Sequence, residues 1–587
     1  MTQAFARSTP ARLTAPAAAK LPRLLLLAVG LVYIFSGLFF RDPWKTDDVA
    51  GLATMVTALG GAENAWWLPQ IGQLAHAQNG PLITWVGSVC IIIFAPFFEI
   101  FTDTQQAVFL ASRLPNFLWF GLMASALWYG TYLLGRRPEP QPVALPFGGE
   151  PTVRDYGRMI ADAALLLALA TVGIIWRLHE TSEVPALIAM YAVAFYALAR
   201  ILDHRLSGAI TLGCALGGAF LARGWIGALP LMVACLVLFL PRAPLWAARS
   251  YLPLISIITG ALILVWLLPA YQLDSYWIQH WWHWNGSAFA WPRLSKVFNT
   301  LRYLAWFLWP TWPFALLALW RWRAWLLAPH ICIPTTLIAA ALIFLAIQAD
   351  PFEPEFSLLA VPCAALAAFA LPTLRRGVVN SLDWFAVMCF SLTAATVWLG
   401  WFALQTGWPH QISRNIARQT QGYEAFISWP AVSLAVLGTI AWITLVYWRL
   451  NTRPAALWRG TVLSAGGLIT TWLLLVTLWM PALDYARSYR DVSAQLANTL
   501  ALHQKKHECL RSDSLGLGQR ASLLVFNNID FSFDPNCTLV LQQASPDTKP
   551  FLSVKPNKSA ALLWEGKREA DRREIFRLFR VQNIDKP

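Results

Sequence analysis

Apolar residues in this chain gather into long, nearly unbroken runs, and that pattern decides the fold class before anything else does. Runs long enough, or nearly so, to cross a hydrocarbon core of about 30 Å lie near 21–40, 82–101, 114–134, 159–176, 184–202, 207–222, 226–240, 251–270, 300–319, 331–349, 356–372, 380–402, 427–448 and 460–481. The run at 82–101 is the weakest, because Pro81, Pro96, Glu99 and Asp103 interrupt or bound it. If it lies in the interface or re-enters on one side, the segments around 1–20, 135–158, 200–205, 241–250, 320–325, 375–376 and 449–459 all share a side. Counted through residue 481, that side holds 19 Lys+Arg against 6 acids, and the other 10 against 13. Lys and Arg accumulate on the cytoplasmic side of membrane proteins. The expectation is a mainly α, polytopic membrane protein of about thirteen transmembrane helices. It has a cytoplasmic N-terminal tail over 1–20, a membrane domain over 21–481 with an outer loop over 41–113, and an outer C-terminus. The basic N-terminus and the run Leu24–Phe40 are not followed by a small-residue cleavage site, so the first span is expected to stay uncleaved.

After residue 481 the pattern changes to that of a small soluble α+β unit over 482–587. The stretch 484–506 reads as an amphipathic helix, Ala521–Phe526 and Thr538–Leu541 as strands, and Arg568–Leu578 as a short helix. Cys509 and Cys537 lie in this unit. In an oxidising compartment they are expected to pair, closing a loop of 28 residues, worth about 2–4 kcal/mol. The other six cysteines sit in apolar runs and read as small core residues.

Composition agrees with the membrane assignment: 57% of residues are hydrophobic, 13% charged, and mean hydropathy is +0.49. A net charge of +14 would point to nucleic acid in a soluble protein; here it reports orientation, and no nucleic-acid partner is expected. Many of the 32 tryptophans stand near run ends, as in aromatic belts at bilayer interfaces.

Most polar residues with chemical capacity fall on the outer side. Asp47 and Asp48 follow the first span; one reading makes them helix-capping acids, the other a base for an acceptor hydroxyl or a cation site. Asn79 belongs to an Asn-Gly-Pro turn and could also bind a head group. Arg113 stands at a span's outer end, ready either to meet phosphate or to snorkel. His179, Glu180 and Glu183 are compressed with Arg177 into one short outer loop. Arg223 lies in the turn between two apolar runs, where an arginine needs an anionic partner. His280 and His283 share a helix spacing amid tryptophans; without a third ligand they read better as sugar-stacking or interfacial surroundings than as a zinc site.

In the order and spacing of these residues, over roughly 20–370, the sequence resembles the membrane-integral glycosyltransferases of the GT-C class, closest to the aminoarabinose transferase and protein O-mannosyltransferase-like branch. Asp47-Asp48 stands for that family's Asp-Glu pair. Gly80-Pro81-Leu82-Ile83-Thr84-Trp85 resembles its Lys-Pro element, Arg113-Leu114-Pro115 its Arg-Leu-Pro, and Arg223-Gly224 with Ala228-Leu229-Pro230 its Lys-Gly and Ala-Leu-Pro. The sequence departs from the family pattern in having Gly80 in place of a lysine and Asp48 in place of a glutamate. The resemblance implies a polyprenyl (undecaprenyl) phosphate-sugar donor and a cell-envelope acceptor such as lipid A, another glycolipid, a glycan or a protein. It implies an active site and C-terminal domain on the periplasmic face of a bacterial inner membrane. Asp47 and Asp48 would be the catalytic acids, and Arg223, Arg113 and Asn79 would meet the donor phosphate. His179, Glu180, Glu183, His280 and His283 would line the acceptor or sugar side. No cofactor is firmly implied; a divalent metal ion held by Asp48, Glu180 or Glu183 stays open. A monomer in the lipid bilayer is expected. A transporter or lipid flippase is the alternative class, and would spread its ionisable residues through the spans.

Overall fold

The computed structural model describes residues 8–146, 148–351, 353–451, 459–505, 508–512, 514–544, 558–571 and 574–583. Among these, nine helices are long and apolar enough to cross a membrane. One is central: the most apolar window of Glu353–Thr373 is 94% buried, whereas that of Trp429–Asn451 is 17% buried and turns its side chains outward. An outward apolar face is what a helix in contact with lipid requires.

The longest of the nine, Arg205–Leu238, is two helices. At Arg223 and Gly224 the backbone leaves helical geometry, with Gly224 at φ +58°. Beyond this point the chain folds back: a Cβ on Gly227 would stand 2.9 Å from the carbonyl oxygen of Ala219, whereas residues eight apart on a straight helix are about 12 Å apart along the axis. A side chain at Gly224 is excluded twice over, since its φ disfavours one and its Cβ would lie 2.7 Å from Asn285 Oδ1. The two apolar runs expected at 207–222 and 226–240 are thus the arms of a hairpin with Arg223 at its tip.

Other runs are broken or shortened. The 159–176 run divides into Val153–Leu169 and Val172–Arg177, where Thr171 Oγ1 donates to Leu167 O and Val172 N to Trp309 O. The 300–319 run divides into Leu294–Phe307 and Thr311–Arg321. Leu82–Phe98 is a helix of 17 residues with Pro96 inside it; at 1.5 Å per residue it is about 25 Å long, short of a full hydrocarbon core.

Residues 8–20, expected as part of a tail, and the adjoining Leu21 are packed. Ala11, Leu13, Ala18 and Leu21 are buried, and this segment pairs with the backbone of Pro372, Val143 and Gly149. It covers the end of the bundle opposite to the acid-rich loops. The carboxylates that lie within spans near this end are closed by cations: Asp162 accepts from Arg23 at 2.8 Å and from Trp128 Nε1 at 2.7 Å, and Asp383 accepts from Arg449 Nε at 2.8 Å.

The C-terminal region contains a four-stranded sheet. Leu510–Arg511 runs parallel to Leu539–Ala544, which pairs antiparallel with Ile575–Asn583, and that strand pairs antiparallel with Lys558–Lys567. Two expected elements differ. Ala521–Phe526 belongs to the helix Leu517–Asn527, because Gln519 caps its start, accepting from Gly516 N at 2.6 Å. The expected helix at Arg568–Leu578 is a turn at its start and a strand from Ile575, with Phe576 and Leu578 buried on one side of the sheet; residues 572 and 573 lie outside the described set. The 484–506 helix is interrupted at Ser488, giving Met480–Arg487 and Arg490–His503. Cys509 and Cys537 are bonded, with Cα atoms 5.0 Å apart.

This region is fastened to the loop that precedes Asp47. Asp42 accepts from Arg490 Nη2 at 2.5 Å and from Ser488 Oγ at 2.6 Å. Trp44 Nε1 donates to Asp484 at 2.6 Å, and Lys45 Nζ reaches Glu574 at 3.3 Å. Burial, with the neighbouring Asp42 charge, pushes Asp484 up to about 7.

Candidate functional site

The two adjacent carboxylates that open the helix Asp47–Leu59 have opposite environments. Asp48 is buried, and each of its oxygens is satisfied: Oδ2 accepts from Arg41 Nη1 at 2.7 Å and Trp44 N at 3.2 Å, and Oδ1 from Thr181 N at 2.7 Å. Arg113 Nη2 lies 3.9 Å away. Burial alone would raise its pKa, but the Arg41 and Arg113 charges and the two backbone N–H groups outweigh it and hold the carboxyl below the usual range. A carboxylate with its lone pairs so committed is a structural anion. Arg113 is likewise internal, donating through Nη1 to the carbonyl of Arg41 at 2.7 Å.

Asp47, one residue earlier on the helix, keeps 36% of its side-chain surface exposed. Both acids sit in the first turn, where the helix dipole favours negative charge. Thr46, at the N-cap, makes no side-chain capping bond.

From Asp47 the charges continue through two arginine hubs. Arg177 Nη1 donates to Asp47 at 3.1 Å and to Glu180 at 2.9 Å, and Nη2 donates to Glu353 at 2.8 Å. Arg223, at the hairpin tip, donates through Nη2 to Glu355 at 2.5 Å, through Nη1 to Asn79 Oδ1 at 2.9 Å, and to Glu183. The helix Glu353–Phe356 links the hubs on one side and the Arg177–Glu183 loop links them on the other. Two guanidiniums thus organise five carboxylates contributed by three regions of sequence. The surplus negative charge makes this a site under electrostatic tension, the kind of arrangement found where chemistry happens.

The hubs differ in freedom. Glu355 and Glu183 on Arg223 are nearly inaccessible, at 5% and 6% side-chain exposure, whereas Glu353 on Arg177 is 63% exposed. Arg177 can therefore exchange a partner at small desolvation cost, and Arg223 cannot.

Glu180 is buried against Arg177. Its burial outweighs that cation, and with the Asp48 and Asp47 charges near it the carboxyl is pushed from 4.5 up to about 8. Between those two values the folded chain holds a proton that the unfolded chain has released, so stability falls as pH rises from about 5 to about 8. Glu180→Gln is expected to reduce that dependence in thermal melts of detergent-solubilised protein, with Asp484 and Glu183 still contributing in the same direction and His76 and His179 against it. Parallel wild-type and variant curves would contradict the assignment.

The other expected residues are placed as follows. Asn79 lies in the cluster, on Arg223, with its amide nitrogen 3.3 Å from His76 Nε2. His179 stands beneath the cluster and faces away from it: its ring nitrogens meet Ile175 O at 2.5 Å and Tyr33 O at 3.0 Å, and burial brings it down to about 4. His280 and His283 are exposed on the helix Ser275–Ser287, outside the cluster. That helix turns Trp277, Trp281 and Asn285 inward, and Asn285 Oδ1 accepts from Trp225 N at 3.2 Å, bracing the Arg223 turn. Among the described residues no group of three or more His, Cys, Asp or Glu has metal-binding geometry.

Arg41, Arg177, Glu353 and Glu355 complete the network without having stood out as site residues in the sequence. The signal available was position: each falls at the same end of a span as the acid pair. Gly80, where the family pattern has lysine, has a physical reason. A Cβ there would stand 2.0 Å from the carbonyl oxygen of Leu221, and Gly80 N donates to Ala222 O at 3.2 Å. Gly80→Ala is expected to cost about 1–3 kcal/mol through forced backbone displacement, read as a lower melting temperature; an unchanged melt would mean the contact yields freely.

The helical bundle, with its charged cluster and C-terminal mixed sheet, has a GT-C fold like that of ArnT. The chain is similar over 94% of its length to the crystal structure of ArnT from Cupriavidus metallidurans bound to undecaprenyl phosphate, covering 97% of that chain with a TM-score of 0.62 at 16% identity. The apo structure of the same ArnT matches over 94% of this chain and 97% of its own, with a TM-score of 0.60 at 17% identity. No protein-family model matches the chain, and no curated protein matches it in sequence.

Proposed function

We propose that this multi-pass membrane protein is a glycosyltransferase that moves a sugar from a polyprenyl (undecaprenyl) phosphate donor to a cell-envelope acceptor on the periplasmic side of a bacterial inner membrane. The observation that carries the reading is the contrast at the acid pair: one saturated carboxylate fixes the backbone, and beside it an accessible one is held by an arginine with an exchangeable partner. Support also comes from the shared fold with a protein crystallised with undecaprenyl phosphate.

In this mechanism Asp47 accepts the proton of the acceptor hydroxyl as that oxygen forms a bond to the anomeric carbon. The bond from that carbon to the phosphate oxygen breaks on the opposite face, inverting the centre, and its electron pair leaves with polyprenyl phosphate. Arg177 exchanges the exposed Glu353 for the phosphate and stabilises the charge that develops there. Arg223 anchors Glu183 and Glu355 beside the acid pair, and Asp48 holds the helix that presents Asp47. Neutral Glu180 avoids repelling the incoming phosphate.

The transporter reading finds less support, because Asp162 and Asp383, within spans toward the far end, are each closed by arginine. The test is reconstitution of the purified protein in vesicles with labelled polyprenyl phosphate-sugar and envelope lipid extract. Stoichiometric appearance of glycosylated product and free polyprenyl phosphate is expected; movement of intact donor between leaflets without product would establish the alternative.

A further inference from the structure

A cavity lies apart from the charged cluster and contains none of its residues. The β-bridge between Phe289 and Gln348, flanked by hydrogen bonds from Ala290 N to Ile347 O at 2.7 Å and Ala349 N to Ala288 O at 2.8 Å, joins two strands of loop. Together with the first turns of the helix Leu294–Phe307 they enclose a space of about 220 Å³, lined by Trp291, Arg293, Lys296, Thr300, Gln348 and Pro351. Lys296 Nζ is positioned at its rim by Ala349 O at 2.7 Å and Asp350 at 2.8 Å. Arg293 has no acidic partner among the described residues. One acid against two cations leaves the cavity with a net positive charge and donors to spare.

Its setting names the phase the ligand comes from. Trp291, Leu294 and Phe298 are 93%, 89% and 71% exposed, an exposure of apolar surface that water would penalise and a bilayer interface would not. The cations stand where the head groups of that leaflet would lie, beside aromatic side chains suited to the boundary.

We infer that this cavity binds the phosphate of an anionic membrane lipid, with Arg293 and Lys296 donating to the phosphate oxygens while Trp291, Leu294 and Phe298 lie among the acyl chains. Arginine suits the role because its planar fork meets phosphate through two donors. This binding is separate from the sugar transfer proposed above and is read without it.

The test is native mass spectrometry of the full chain in detergent, titrated with phosphatidylglycerol and, separately, with phosphatidylcholine of the same acyl chains. Preferential retention of phosphatidylglycerol is expected. Loss of one interfacial cation weakens anionic-lipid binding about fivefold, so Arg293→Gln should reduce that preference by about this factor, and Arg293→Lys, which keeps the charge without the fork, should reduce it less. Arg302→Gln, which removes a cation of the same helix outside the cavity, should change it less than about twofold. Both positions are exposed, so the three variants should fold. Equal binding of the two lipids would overturn the inference, as would an Arg302→Gln loss matching that of Arg293→Gln. Full displacement of phosphatidylglycerol by equimolar inorganic phosphate would show a site for a soluble anion and overturn it as well.

Discussion

Asp47→Asn is expected to lower sugar transfer by about 10²–10⁴ while shifting stability by less than about 1 kcal/mol. The variant keeps the size and most of the hydrogen-bonding shape of the side chain, and removes only the capacity to accept a proton. Because the carboxylate is 36% exposed and its partner Arg177 retains Glu180 and Glu353, the fold loses little. Transfer rates measured in reconstituted vesicles, beside melting curves of the same preparation, separate these effects. A variant as active as wild type would remove Asp47 from the role of base.

The neighbouring change has the opposite signature. Asp48→Asn leaves Arg41 and Arg113, both nearly inaccessible at 2% and 1% side-chain exposure, without their shared anion. Breaking a buried ion pair from one side costs about 3–5 kcal/mol. The chain is expected to melt markedly lower and to be recovered poorly from membranes, with activity lost in proportion to folded protein. If Asp48→Asn were as stable as wild type yet inactive, the roles assigned to the two acids would be reversed.

The spans were legible because lipid imposes one rule along the whole chain: apolar side chains outward and backbone bonds closed within each helix. That rule drew the arms of the Arg223 hairpin, which meet where the backbone leaves helical geometry at Arg223 and Gly224. It also pointed to the end of the bundle where Asp47, Glu180, Glu183 and Arg223 meet. It had no purchase on the C-terminal region, where Ala521–Phe526 is apolar on nearly every side because the helix is buried all round, and periodicity distinguishes a buried helix from a strand poorly. Within the site, residue type was not enough. Asp47 and Asp48 are chemically alike, and their division into an accessible and a saturated carboxylate depends on Arg41, Thr181 and Arg113, up to 133 residues away. His179 stood beside Glu180 in sequence, yet its ring turns toward Tyr33 and Trp472. Arg177 appeared as one more polar loop residue; only its simultaneous contacts with Asp47, Glu180 and Glu353 mark it as the hub.

Those contacts are also where the account can be tested most directly, by determining the structure of the protein with polyprenyl phosphate bound. The phosphate is expected on Arg177, in place of the Glu353 carboxylate and within reach of Asp47, with Arg223 still paired to Glu183 and Glu355. A phosphate bound elsewhere, with Arg177 still holding Glu353, would contradict the proposed mechanism.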